Sequence, residues 1–319
     1  MVAADGISKR KLLLAAGIAA VGLAAVFLWT GGSNSAGAIN QVPSGVDTVV
    51  RLDLTITDDR IKQLAAVANG APLAGSGNAT ATFENGTGID PGPAREVVVF
   101  SDNRTGDSSA YGGLVLHTNA DTDTAVEGIR DATNGSYRST TYNGRTVYVP
   151  GNAPNRYIGV LGEGELVVGT RAAVRDSIDV SQGDADGVDG QLRTAYEDTR
   201  NGTVRFATTA PERWVPGGGD FVDTEAYRNL DTAAGTYYID GGSAVLTVRL
   251  GASSPANART VAQATEGATV IGQRTIENES VAAALDSVNV TREGETVTVR
   301  YEQSLDAFQR TVRYLYGEL

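Results

Sequence analysis

The chain has 319 residues, 38 acidic and 26 basic, with a single histidine and no cysteine. No disulfide framework, thiolate nucleophile or Cys-ligated metal can be built from it, and His117 alone allows neither a multi-His metal centre nor more than one Ser-His-Asp triad. A net charge of −12 repels nucleic-acid phosphate and anionic headgroups, so no nucleic-acid partner is expected.

The basic residues are lopsided: 23 Arg against three Lys (Lys9, Lys11 and Lys62). Added carboxylates hold water and support solubility, and Arg keeps ion pairing possible without long ammonium stems. With abundant Ala, Gly, Val and Thr, this composition points to a halophile; an ordinary acidic secreted protein is the alternative.

Residues 1–11 end in the cluster Lys9-Arg10-Lys11, and Leu12 to Trp29 is an uncharged apolar run. Its 18 residues would span about 27 Å as a helix, close to the hydrocarbon thickness. The basic flank is expected to stay cytoplasmic, with Trp29 at the far interface. The segment is therefore read as a transmembrane anchor over 12–29, with the remainder outside the cell membrane. The competing reading is a cleaved signal, since Ala36-Gly37-Ala38 offers an A-x-A site. Removing residues 1–37, which carry three positive charges and one negative, leaves −14 on the rest.

An external location agrees with seven Asn-x-Ser/Thr triplets, at Asn78, Asn85, Asn103, Asn134, Asn201, Asn278 and Asn289. Such triplets also occur as ordinary turns, which is where glycans can be attached.

Residues 30–45, rich in Gly, Ser and Ala, read as a flexible tether. The first α+β unit is expected over 46–182. It opens with a strand at 48–56 and a helix near 58–68, followed by a loop over 70–94. Strands at 96–100 and 111–117 precede an amphipathic helix over 121–133. A hairpin over 137–149 turns at Asn143-Gly144, a second pairs 157–161 with 165–169, and a helix runs from 171 to 178.

An acidic connector follows over 183–200, with a short helix near 191–199. The second unit, 201–319, repeats the plan. Strands are expected at 203–208, 236–240 and 244–249, a helix at 255–266, a hairpin of 288–291 with 296–301, and a closing helix at 305–316. The fold class is thus α+β: an N-terminal transmembrane helix followed by two tandem antiparallel-sheet-plus-helix units. The second unit has no evident counterpart of the Tyr142/Val147 hairpin.

Three stretches carry a resemblance: Val42-Pro43 with Val49 to Asp53, Tyr142-Asn-Gly-Arg-Thr-Val-Tyr148, and Leu166 to Ile178. Over roughly residues 42–210 the chain resembles an uncharacterised family of membrane-anchored extracytoplasmic proteins of bacteria and archaea, here as a haloarchaeal member. The resemblance rests on strands and turns, so it implies location and architecture and no activity.

No catalytic residue or cofactor site is assigned. His117 at a strand end could act as a base oriented by Asp121 or Asp123, yet no Gly-x-Ser-x-Gly elbow supplies a nucleophile. A half-exposed structural histidine is expected instead. Asp184, Asp186 and Asp189 suggest a metal, but the EF-hand spacing fails at Val188 and Ala195, so they read as a solvated linker. Gly217 to Gly219 and Gly241-Gly242 lack a strand–loop–helix nucleotide frame. Glu163/Glu165 and Glu293/Glu295 read as solvated turn acids.

Twelve Tyr outnumber six Phe. Tyr137, Tyr142, Tyr148 and Tyr157 cluster in two hairpins, and Tyr301, Tyr314 and Tyr316 lie near the C-terminus. Such faces serve cross-strand packing or adhesion to glycans and proteins. The expected function is non-enzymatic: a glycosylated surface protein acting in binding, adhesion or envelope support, with other envelope proteins or glycans as partners. The alternatives are an extracytoplasmic carboxylate hydrolase acting on polysaccharide and a virus- or plasmid-encoded membrane protein.

Overall fold

The computed structural model describes residues 37–55, 93–102, 111–132, 136–151, 156–211, 224–276 and 278–316. The expected anchor over 12–29, the helix near 58–68 and the sequons at Asn78, Asn85, Asn103 and Asn134 lie outside the described residues. Among the described residues, no helix is long and apolar enough to cross a membrane. The protein is a mixed α+β fold dominated by antiparallel sheet, and it divides into two compact units near residue 194.

In the first unit, β1 (Thr48–Asp53), β2 (Ala94–Asp102) and β3 (Tyr111–Thr118) form a meander. Helix α1 (Thr122–Ala132) leads into hairpin β4 (Tyr137–Tyr142)–β5 (Arg145–Pro150), then hairpin β6 (Tyr157–Gly162)–β7 (Glu165–Gly169). The strand order is β1-β2-β3-β7-β6-β5-β4, and each neighbouring pair is antiparallel. Asn143 and Gly144 take φ of 44° and 72°, as the expected two-residue turn demands.

Helix α2 (Arg171–Gln182) starts on the hydroxyl of Thr170, which accepts from the Ala173 amide, and ends at left-handed Gly183. It packs on β6, where Gly159 lets it approach: a Cβ there would lie 2.8 Å from Val174 and 2.9 Å from Val167. Helix α2 runs four residues past the expected end, and α3 (Gly190–Glu197) follows.

Residues 30–45 are not tether throughout. Ala38–Gln41 form a 3-10 turn, and Ala38, Ile39 and Val42 are buried. Pro43 bridges Gly187, while Val188 donates to the Val42 carbonyl. The connector's Gly187 and Val188 are thereby tied to the start of the domain. The apolar residues among the small ones are what anchor this stretch.

The second unit holds β8 (Val204–Thr208), β9 (Leu230–Asp240) and β10 (Ser243–Ala252), then α4 (Pro255–Thr275) and α5 (Glu279–Asp286), and then hairpin β11 (Val288–Glu293)–β12 (Thr296–Ser304) and α6 (Leu305–Tyr316). Its strand order is β8-β9-β10-β12-β11. Tyr237 stacks on Phe308 at 5.7 Å and Tyr301 tilts against the same ring, so α6 closes the core. Helix α5 was not expected, and β9 and α4 both extend well beyond their expected ends.

Candidate functional site

Two places in the first unit gather polar side chains. The first arises because β1 is buried along nearly its whole length. Arg51 and Asp53, which a one-sided strand would send to water, are enclosed here and must be paired. Arg51 Nε donates to Glu96 Oε1 on β2, and its Nη2 donates to Asp53 Oδ2 at 3.2 Å. Asp53 Oδ1 also accepts from the amide and hydroxyl of Thr55.

The other Glu96 oxygen accepts from the Ala38 amide at 3.3 Å and faces His117 Nδ1 at 3.6 Å. His117 Nε2 donates to Gln41 Oε1 at 2.9 Å, and Gln41 Nε2 donates to Glu165 Oε2 at 2.6 Å. A cavity of about 170 Å³ borders the cluster. His117 is thus oriented by Glu96 and Gln41, not by Asp121 or Asp123. Asp121 instead caps α1 through the amide and hydroxyl of Thr124. Glu165, expected as a solvated turn acid, is half-buried in this network, whereas Glu163 is exposed. Glu96 and Asp53 have every oxygen engaged, so the cluster works as a clasp on residues 38–41.

The second place lies beside α2. Cross-strand partners put Arg138, Thr140, Tyr142, Val147, Val149 and Tyr157 on the face of the sheet that α2 covers farther along. Hairpin β4–β5 reaches past the helix, leaving a groove of about 470 Å³ between that face and Arg171 and Arg175 of α2. The hairpin tip is pinned. Tyr142 donates its hydroxyl to Asp179 at 2.7 Å, and Asn143 donates to both Asp179 and Asp184. The Gln182 amide oxygen accepts from Arg145 Nε and Nη2 at 2.7 and 2.8 Å.

The Arg175 guanidinium sits 4.7 Å from the Tyr142 ring centroid. The hydrogen bond to Asp179 holds the Tyr142 hydroxyl above the usual phenol range, with the Asp179 charge adding to it. Tyr111 is raised more strongly, by burial first and then by the bond to Asp176.

The tyrosine cluster therefore splits. Tyr142 and Tyr157 face the groove, while the register puts Tyr137 and Tyr148 on the opposite face. In the second unit Tyr301 is core, its hydroxyl pushed up by burial, and Tyr314 and Tyr316 fall in the last turn of α6.

Asp184, Asp186 and Asp189 are exposed, and among the described residues no group of three acids and histidines is placed to hold a metal ion. Glu293 and Glu295 stay exposed in the β11–β12 turn, and Gly241-Gly242 form the β9–β10 turn. Of the described sequons, Asn201 and Asn289 are exposed, and Asn278 caps α5 by accepting from the Val281 amide.

No family model matches the chain, and no curated protein matches it. Among solved structures it is similar to TP0453. Crystal form III gives a TM-score of 0.51 at 12% identity, over 88% of this chain and 99% of that one. Form IV gives 0.50 at 11% identity, over 89% and 98%. At this identity the likeness shows a shared fold and nothing more.

Proposed function

We propose that the protein is a non-enzymatic binding component of a halophile's cell surface, held by a single anchor over 12–29 and glycosylated on its outer part. It engages an envelope partner through the groove between β4–β5 and α2. The observation that carries this reading is the set of three arginines around a pinned, tyrosine-bearing groove in a chain of net charge −12. Arginines gathered on one groove of an otherwise acidic protein make that groove the place where an anion is attracted.

The location is supported by the apolar run, its basic flank and the sequons, together with the resemblance to the extracytoplasmic family. Retention of the anchor is further supported by Ala38, which is fully buried and donates its amide to Glu96, contacts that cleavage after it would remove. The reading as two copies of one unit is supported by strand order: β1-β2-β3-β7-β6 and β8-β9-β10-β12-β11 follow the same connections. Hairpin β4–β5, the floor of the groove, is what the first copy adds.

The test is site-specific photo-crosslinking in intact cells at native salt. A benzophenone residue at Thr140 is expected to give an adduct with an envelope component that the same probe at Arg259, exposed on α4, does not. An identical adduct pattern from both positions, or none from either, overturns the proposal.

A further inference from the structure

Resting on that reading, we infer that the groove takes a strand of acidic glycan, sugars bearing carboxylate groups. Arg138, Arg171 and Arg175 carry the charge recognition. None of the three has a carboxylate within ion-pair distance among the described residues. The nearest acids of α2 are already occupied, Asp176 by Tyr111 and Asp179 by Tyr142 and Asn143. Arg171 and Arg175 stand one helical turn apart, a like-charge spacing that is unfavourable until an anion lies between them.

Arginine suits this task in salt. At about 1 M ionic strength charges are screened beyond roughly 3 Å, so long-range attraction is lost. What survives is direct contact, which the guanidinium fork makes with both oxygens of a carboxylate. Arg175, laid over Tyr142, is already ordered for such contact.

The remaining lining favours sugar over peptide. The Tyr142 and Tyr157 rings and the Thr140 hydroxyl offer flat faces and hydrogen bonds, which a pyranose ring uses through its C–H face and its hydroxyls. Protein hot spots lie in fully desolvated pockets, whereas Arg138, Ser139, Thr140 and Thr141 along this groove are open to water. Among the described residues the one exposed large hydrophobe is Val270, far from the groove in sequence. A volume of about 470 Å³ is that of a small-ligand site and accommodates a few rings of a longer chain. The pinned hairpin keeps the site formed before the ligand arrives.

The full-length chain in detergent micelles at multimolar KCl is titrated with a uronic-acid oligosaccharide, a neutral glucan of equal length and a poly-glutamate of equal charge. The uronate is expected to bind, the neutral glucan not, and poly-glutamate at least about tenfold more weakly. Arg138→Gln with Arg175→Gln should weaken uronate binding by more than about tenfold, and Arg175→Lys, which keeps the charge but loses the fork, should weaken it as well. Arg259→Gln is the control and should bind like the parent.

Equal binding of poly-glutamate, or uronate binding untouched by the double substitution, overturns the assignment. Absence of uronate binding with the Thr140 adduct still formed overturns only the glycan class. Loss of both removes the groove as a binding site.

Discussion

Glu96→Ala is the substitution that most sharply tests the clasp. The side chains of Arg51, Asp53 and Glu96 are 5%, 1% and 2% exposed, so little water reaches the Arg51 Nε that Glu96 leaves, while Asp53 stays on Nη2. Breaking a buried pair from one side costs about 3–5 kcal/mol, and the Ala38 amide is orphaned as well. The readout is hydrogen exchange of the full chain over β1 and β2, which reports local opening without requiring the two units to unfold together. At about 1.4 kcal/mol per decade, the loss corresponds to protection lowered by roughly two to three and a half orders of magnitude. The cost should persist in multimolar KCl, because a buried pair is screened little.

Arg300→Ala supplies the contrast. It removes a pair whose side chains are 43% and 49% exposed, and it should cost below about 1 kcal/mol and less in salt. A Glu96→Ala effect under about 1 kcal/mol, or one that fades as salt rises, would refute the assignment of the cluster as a buried clasp.

Four further outcomes are expected. Gly159→Ala places a Cβ against Val174 and Val167 and should cost about 1–3 kcal/mol, loosening α2 and weakening ligand binding in the groove; full retention of both would count against the close approach. Asn278→Ala removes the cap of α5 and should cost about 1 kcal/mol by denaturant titration, whether or not a glycan is present. Tyr111 and Tyr301 are raised in the folded protein, so the unfolded chain releases their protons first. Their contribution is therefore present below about pH 10 and declines above it, and ultraviolet titration should show both phenols ionising only as the fold is lost. Intact-mass analysis of the membrane fraction should find residues 1–37 retained and sugar on Asn289; a mature N-terminus at residue 39 would remove the anchor.

Much of the fold was legible because its signals are local. Asn143-Gly144 announces its turn whatever packs nearby, and the alternation in 111–117 and 296–301 marks strands with one covered face. Failures cluster where packing outweighs pattern. Leu230 to Gly235 alternates poorly, yet it is strand because small residues let Phe206 lie across it: a Cβ at Gly235 would come within 2.6 Å of that ring. Helix α5 was hidden because it is short: only the five residues Val281 to Leu285 are Val, Ala or Leu, too few to show a helical period.

Neither polar site could be read in full. The clasp joins residues 41, 51, 96, 117 and 165, which only sheet pairing brings together, and its signal, a charged pair inside an apolar strand, is ambiguous in isolation. The groove left a clearer trace: arginines at 138, 171 and 175 around the one hairpin that the second half lacks.

The clasp also sets a length. Because Ala38 is fixed in the core, the chain between Trp29 and the folded domain is eight residues, not the sixteen of a tether running to residue 45. Fully extended, eight residues reach at most about 29 Å. With 12–29 as the proposed anchor, the near edge of the first unit stays within that reach of the lipid surface, and its groove meets partners no farther out than the leash plus the unit's own width.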